Sequence, residues 1–308
     1  MTDHKPMPNA PPLADPQPID LDLLVVGGLT VDRFADGRSL PGGSVLHAVR
    51  ALRATSARVG VVTLAGDEPA ARDGLRELGE TAAAVHVEPA ERSIGFLHAE
   101  VPTGRRLTFE RSAGLLACPA RAVRPATVLF APVADELGPS LGGQAYESAR
   151  RGAILQGWLR ELRPGRVVRQ LPLSALPEQL ISTLATLDLL VASHEDLAAV
   201  GPTPSAQLEA LRASIGTGPV LVVTNGAAGA WVDHSPAAAG GAERWHVATG
   251  RTVANVNTVG AGDVLAAALL LAWPTTVTRP TLTNAIQRAM AVVESVLAGR
   301  AAPTSQPA

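Results

Sequence analysis

Five stretches of the chain are almost uninterrupted apolar runs: LDLLVVGG (21–28), ARVGVVTLAG (57–66), ATVLFAPV (126–133), LDLLVAS (187–193) and GPVLVVTNG (218–226). A strand with one wet face alternates polar and apolar residues. A strand covered on both faces does not, so these runs predict buried strands of a parallel sheet. Between them, segments 43–54, 69–79, 205–216 and 283–299 repeat apolar residues at helical spacing, with Arg, Glu and Gln on the opposite face. Strand and helix in alternation predict an α/β fold: one mainly parallel sheet with helices on both sides, hence three layers. No repeat of 20–50 residues is visible. Segment 93–112, SIGFLHAEVPTGRRLTFERS, breaks the pattern. It places β-type residues on either side of Pro102-Thr103-Gly104 and is too polar for a sheet centre, which predicts a hairpin, either a lid over a site or a plain edge.

Composition narrows the picture further. With 308 residues, 46% hydrophobic content and a formal charge of −2, the chain can bury a large core as one large or two small domains. No run of five like charges occurs, so a nucleic-acid partner is not expected. The longest apolar stretch, 264–273, is about half of a bilayer crossing, and no basic-then-apolar leader opens the chain, so the expected setting is cytoplasmic and away from membranes. Cys118 is the single cysteine and reads as a small buried hydrophobe. Residues 1–20, with prolines at 6, 8, 11, 12, 16 and 18, read as a disordered tail ahead of a folded unit over 21–300, and 301–308 as a second tail. Lys5, in the first tail, is the only lysine. A Walker-type loop and a Schiff-base enzyme each need a lysine in the folded part, so both classes drop out.

The chemistry concentrates in NVNTVGAGDVLAAALLLA (255–272), where two glycines and one carboxylate precede an alanine- and leucine-rich helix. The amino end of a helix presents unpaired N–H groups and partial positive charge, and glycine lets backbone approach an anion closely. Asp263 does not belong in a simple anion site, because its charge repels a phosphate. Two readings stand: a base that takes the proton of a hydroxyl attacking phosphorus, or a helix cap.

Asn257-Thr258-Val259-Gly260-Ala261-Gly262-Asp263 resembles the second signature of the PfkB carbohydrate kinase family, the ribokinase-like kinases. VVGGLTVD (25–32), PGGSVLHAVRAL (41–52), TLAGDE (63–68), ASHEDLAAVG (192–201) and VVTNGAAGAWV (222–232) resemble further family segments in the same order, so the likeness runs from about 21 to 299. It implies a three-layer ribokinase-like α/β fold with a small β lid near 29–40 and 93–112, and ATP-dependent phosphorylation of a small molecule with Mg2+, and with a monovalent cation as an optional addition. Asp263 would be the catalytic base, and the amides of Gly260, Ala261 and Gly262 an anion hole. Asp32 would bind substrate hydroxyls, and Gly42 and Gly43 would let substrate lie on backbone. Ser193, Thr224, Asn225, Gly226, Gly229, Asn257 and Thr258 would border the nucleotide, and Asp196, beside Glu195, would organise water round magnesium. A homodimer through the lid is the oligomer expected.

The likeness has departures. Asn257 stands where the signature usually has Asp. His47 stands where many sugar kinases have Asn, so recognition of the acceptor should differ from that of ribokinase. Glu136, at the end of LFAPVADE, reads as one more acceptor for substrate hydroxyls. ILQGWLR (154–160) resembles a segment of some bacterial members and is assigned no chemistry. Aromatic content is only 3%, with Phe34, Phe96 and Phe109 near the lid, which favours a sugar or cyclitol over a nucleoside. The alternatives are a nucleoside kinase, or a sugar-binding regulator without turnover. A dinucleotide oxidoreductase is disfavoured, since VVGGLTVD lacks the G-x-G-x-x-G spacing.

Overall fold

The computed structural model describes residues 18–101, 104–117, 123–141, 146–235, 241–253 and 256–300; residues 1–17 and 301–308, Pro102-Thr103 and Cys118 lie outside the described residues, and Ile19 and Asp20, expected in the first tail, already belong to a strand paired with residues 123 and 124. The first half of the chain runs β1 (Ile19–Val26), β2 (Thr30–Phe34), β3 (Ser39–Gly42), α1 (Ser44–Leu52), β4 (Val59–Ala65), α2 (Pro69–Thr81), β5 (Ala84–Pro89), β6 (Ile94–Val101), β7 (Gly104–Arg111) and β8 (Val123–Phe130). The second half runs β9 (Arg150–Ile154), β10 (Arg160–Glu161), β11 (Arg166–Val167), β12 (Arg169–Gln170), α3 (Glu178–Leu184), β13 (Leu189–Ser193), α4 (Pro204–Ile215), β14 (Val220–Thr224), β15 (Ala230–His234), β16 (Glu243–Val247), α5 (Ala261–Leu271) and α6 (Arg279–Arg300). Among the described residues, no helix is long and apolar enough to cross a membrane.

The central sheet has nine strands in the order β16-β15-β14-β13-β9-β8-β1-β4-β5. The seven strands from β14 to β5 are parallel, and β15 and β16 close one edge antiparallel. The unbroken apolar run of β1 has a direct physical reason. Leu23 and Val25 enter a core made with α1, α2, α5 and α6, while Leu24 and Val26 enter a second core with α3 and α4 on the other face. Helix α5 is buried from Asp263 to Leu270, all the way round, as expected of a helix covered on every side.

A separate five-stranded sheet, β11-β7-β6-β2-β3, stands beyond one end of the central sheet. The predicted hairpin is its middle, β6 paired with β7, and it carries a bulge between Gly95 and Phe96. Strands β2, β3 and β11, which the apolar pattern did not announce, complete it. Ile94, Phe96 and Phe109 join the same core as Leu24 and Val26, so the lid is packed against the body.

Successive strands leave β1 in opposite directions, β4 and β5 one way, β8, β9, β13 and β14 the other. The crevice outside the carboxyl ends of β1 and β8 is therefore the topological switch point, where ligands collect in open α/β sheets. Glu136 belongs to the construction of this crevice. Its carboxylate accepts from Gly28 N (2.8 Å) and Val133 N (2.9 Å) through Oε1 and from Ala134 N (2.8 Å) through Oε2, and it is fully buried. Burial pushes its pKa up and the three amides push back. The expected role in binding substrate is therefore corrected: Glu136 ties the loop after β8 to the loop after β1. Glu136→Ala leaves three buried N–H groups without an acceptor and should cost on the order of 3 kcal/mol or more in denaturant unfolding. A variant of unchanged stability but weaker acceptor binding would restore the substrate role.

Candidate active site

The turn that opens α5 explains the two glycines. Ala261 N–H donates to the Thr258 carbonyl (3.0 Å), and Gly260 has φ 79° and ψ 2°. This is a type II turn, whose third residue must take positive φ. A Cβ on Gly260 would also run into the His47 ring. Asn257 Oδ1 accepts Val259 N–H (3.0 Å), so the amide at this position does the turn-stabilising work that a carboxylate could do. From the end of α6, Arg300 Nη1 donates to the carbonyls of Asn257 (3.2 Å) and Val259 (2.7 Å). Because the Ala261 amide is engaged within the turn, it does not serve an anion hole as expected. Among the described residues, no acceptor meets the N–H groups of Gly260, Gly262 and Asp263, and those are the donors left at the helix end.

Asp263 is the third residue of α5 and is buried. Among the described residues it makes no hydrogen bond to the amides of its own turn, so capping does not account for it. Its pKa is raised to about 6, chiefly by burial and further by the nearby Asp196 charge, while the Ser44 hydroxyl and the Arg160 charge oppose the rise. Ser44, the first residue of α1, is close enough to favour the carboxylate without forming a well-shaped hydrogen bond. It is brought there by Gly43, the N-cap, at φ 99°, where a Cβ would collide with the Gly28 carbonyl.

The lid supplies the other polar groups. Asp32 on β2 accepts from Thr30 Oγ1 (3.0 Å), and its Oδ1 lies 3.4 Å from His98 Nε2 on β6. A side chain at Gly42 would displace the Asp32 carboxylate, so the glycine keeps that position clear. His98 is buried, stacks on Phe34 at 5.1 Å, and has no hydrogen-bond partner for either ring nitrogen among the described residues. The sequence reading passed it over because a histidine in a half-polar hairpin carries no distinguishing signal. His47, assigned to the acceptor, lies against Gly260 and so bears on the turn.

On the far side, Ser193 closes β13 and its Oγ donates to Asp196 Oδ2 (2.6 Å) while accepting Asp196 N–H (3.0 Å). Thr224 ends β14 beside Ser193. Asn225 N–H donates to the Gly229 carbonyl (2.8 Å) and Gly229 N–H to that of Gly226 (3.1 Å), closing a tight turn further held by Thr249 and His246 on the carbonyls of Ala227 and Ala228. The charges that bear on Asp263 bring together α5, the segment after β13, and Arg160 on β10. Arg160 ends the ILQGWLR segment.

The pfkB family carbohydrate kinase model matches residues 159–305 of the chain. Among solved structures, a pyrophosphate-dependent kinase in the ribokinase family, complexed with a pyrophosphate analog and myo-inositol, superposes with TM-score 0.68 at 14% identity, covering 90% of this chain and 95% of that one. Fructokinase from Vibrio cholerae O395 superposes with TM-score 0.61 at 19% identity, covering 91% and 99%. No curated protein matches the sequence. The second half of the chain thus matches the pfkB family carbohydrate kinase model, and the fold of the whole is the ribokinase-like one.

Gly260→Ala should lower stability by about 1–3 kcal/mol, through positive φ and the collision with His47. In a double-mutant cycle His47→Ala should recover the steric part only. Additive effects would show that His47 and the turn are independent.

Proposed function

We propose that the protein transfers the terminal phosphoryl group of ATP to a hydroxyl of a small polyhydroxylated compound, a sugar or a cyclitol. The observation that carries the proposal is the buried Asp263 carboxyl, its pKa raised to about 6, beside amides at the start of α5 that are unpaired among the described residues. A group with that pKa is a carboxylate at neutral pH and still basic enough to take a proton. The acceptor hydroxyl gives its proton to Asp263 as its oxygen forms the new bond to phosphorus. The bond to the leaving phosphate oxygen breaks and that oxygen keeps the electron pair. The N–H groups of Gly260, Gly262 and Asp263 face the charge on the moving group. Among the described residues no group of three potential ligands could hold a metal ion. Asp196 alone, with phosphate oxygens and water, suits magnesium, which needs few protein ligands and supplies charge neutralisation.

The acceptor class follows from the lid. Asp32 and the facing His98, whose ring nitrogens have no hydrogen-bond partner among the described residues, call for hydroxyls. Phe96 packs at a tilt against Phe109 and Phe34 stacks on His98, so these rings are already engaged, which argues against a nucleoside base. A second reading concerns the donor. The likeness to a pyrophosphate-dependent kinase makes pyrophosphate an alternative to ATP.

A screen with magnesium and either ATP or pyrophosphate, against pentoses, hexoses, cyclitols, sugar phosphates and nucleosides, should find a cyclic polyol or sugar best, with ribose and nucleosides weak. A nucleoside as best acceptor would sink the acceptor argument, and no transfer with any pair would favour a non-catalytic sugar-binding protein. With the best pair, kcat/KM should fall about tenfold per pH unit below about 6, because a base of raised pKa is lost to protonation there. A limb near 4 would exclude Asp263 as the base.

A further inference from the structure

We propose that Arg160 is a further catalytic residue, the cation that meets the phosphoryl group during transfer and that the lid holds in place. The inference rests on the kinase reading above. Its first support is exclusion: the only lysine is Lys5, so any fixed positive side chain in the folded part must be arginine or histidine. Its second is geometry. Arg160 Nη1 donates to the Val133 carbonyl (3.0 Å), in the loop after β8 that Glu136 pins. The Gln156 amide oxygen, in the orientation that suits both groups, accepts from the guanidinium at 3.1 and 3.2 Å. The guanidinium lies 5.8 Å from the centre of the Phe96 ring on the lid strand β6. The backbone beneath is fixed as well, by pairing of Arg160 with Gln170 and by Leu171 N–H on the Leu159 carbonyl (2.7 Å).

One side chain therefore touches the body, the loop at the switch point and the lid. Its charge reaches Asp263, which also faces Ser44 from α1 and Asp196 from the segment after β13, with His47 packed against the turn at Gly260. A planar, permanently charged fork anchored in this way is suited to phosphoryl oxygens. It would neutralise charge on the moving group and also keep Asp263 ionised. No bond to Arg160 forms or breaks. The stack on Phe96 makes its placement depend on the lid, as aromatic faces attract guanidinium charge.

The test uses the full chain with Arg160→Gln and Arg160→Lys, with thermal unfolding to establish that each is folded. Inorganic pyrophosphate is titrated calorimetrically at pH 8, a readout that needs no acceptor. Arg160→Gln should bind it at least tenfold more weakly than the unaltered protein, with Arg160→Lys between the two. With the best acceptor, Arg160→Gln should lose about a hundredfold in kcat while acceptor KM changes less than threefold, and its acid limb should move to higher pH. Arg160→Lys should recover part of kcat and of the limb. A purely structural arginine would lower stability without moving the limb, which overturns the proposal. So would unchanged pyrophosphate affinity, or a loss confined to acceptor KM, which would make Arg160 a ligand for an anionic acceptor. If the unaltered protein binds pyrophosphate yet phosphorylates nothing, the kinase reading fails while the binding comparison still decides whether Arg160 is a phosphate ligand.

Discussion

A carboxylate held out of water beside the unpaired N–H groups of a buried helix is the constraint on which the rest of this structure turns. Burial alone would leave Asp263 protonated far above its ordinary range. The Ser44 hydroxyl and the Arg160 charge pull it back against burial and the Asp196 charge, and the balance settles near 6. The elements around the site hold these groups and the turn before α5 in place. Helix α1 brings Ser44 and seats His47 against Gly260, α6 reaches over with Arg300 to hold the turn carbonyls, and the lid stacks Phe96 on Arg160.

In the proposed reaction, backbone takes the part that lysine takes in Walker-type phosphate sites. Amide groups of a helix end cannot titrate and lose no side-chain entropy when a ligand arrives. Their placement depends on a turn of one shape, and that shape is held by Asn257, Arg300 and the missing side chain at Gly260.

Much of the fold was legible because its strands are buried on both faces. Runs such as LDLLVV have no other economical explanation, and the alternation with helical segments gave the layers. Strand β9 was not legible, since it opens with Arg150 and Arg151, half-buried at the sheet's end, where Arg151 N–H meets the Asp188 carboxylate. The edge strands β15 and β16 were hidden because their neighbours are antiparallel and partly wet. At the site, the glycines before α5 stood out from spacing, because a positive-φ turn before a buried helix has few solutions, whereas spacing left Asp263 open between a base and a cap. The role of Glu136 could not be read. A carboxylate at a strand end looks the same in sequence whether it awaits a substrate or is surrounded by three amides. Ala261 was misread for a similar reason, since only the turn shows that its amide is taken. Arg160 and His98 depend on contacts across the lid, which no local pattern encodes.

The central claim is the ionisation of one side chain, and it can be observed without any substrate. Carboxyl carbons of aspartate, labelled with carbon-13 and followed by NMR from pH 3 to 9, should include one resonance with a midpoint near 6 that vanishes in Asp263→Asn. If every aspartate instead titrates near the ordinary value of about 4, the carboxylate is not tuned and the account of the site is wrong.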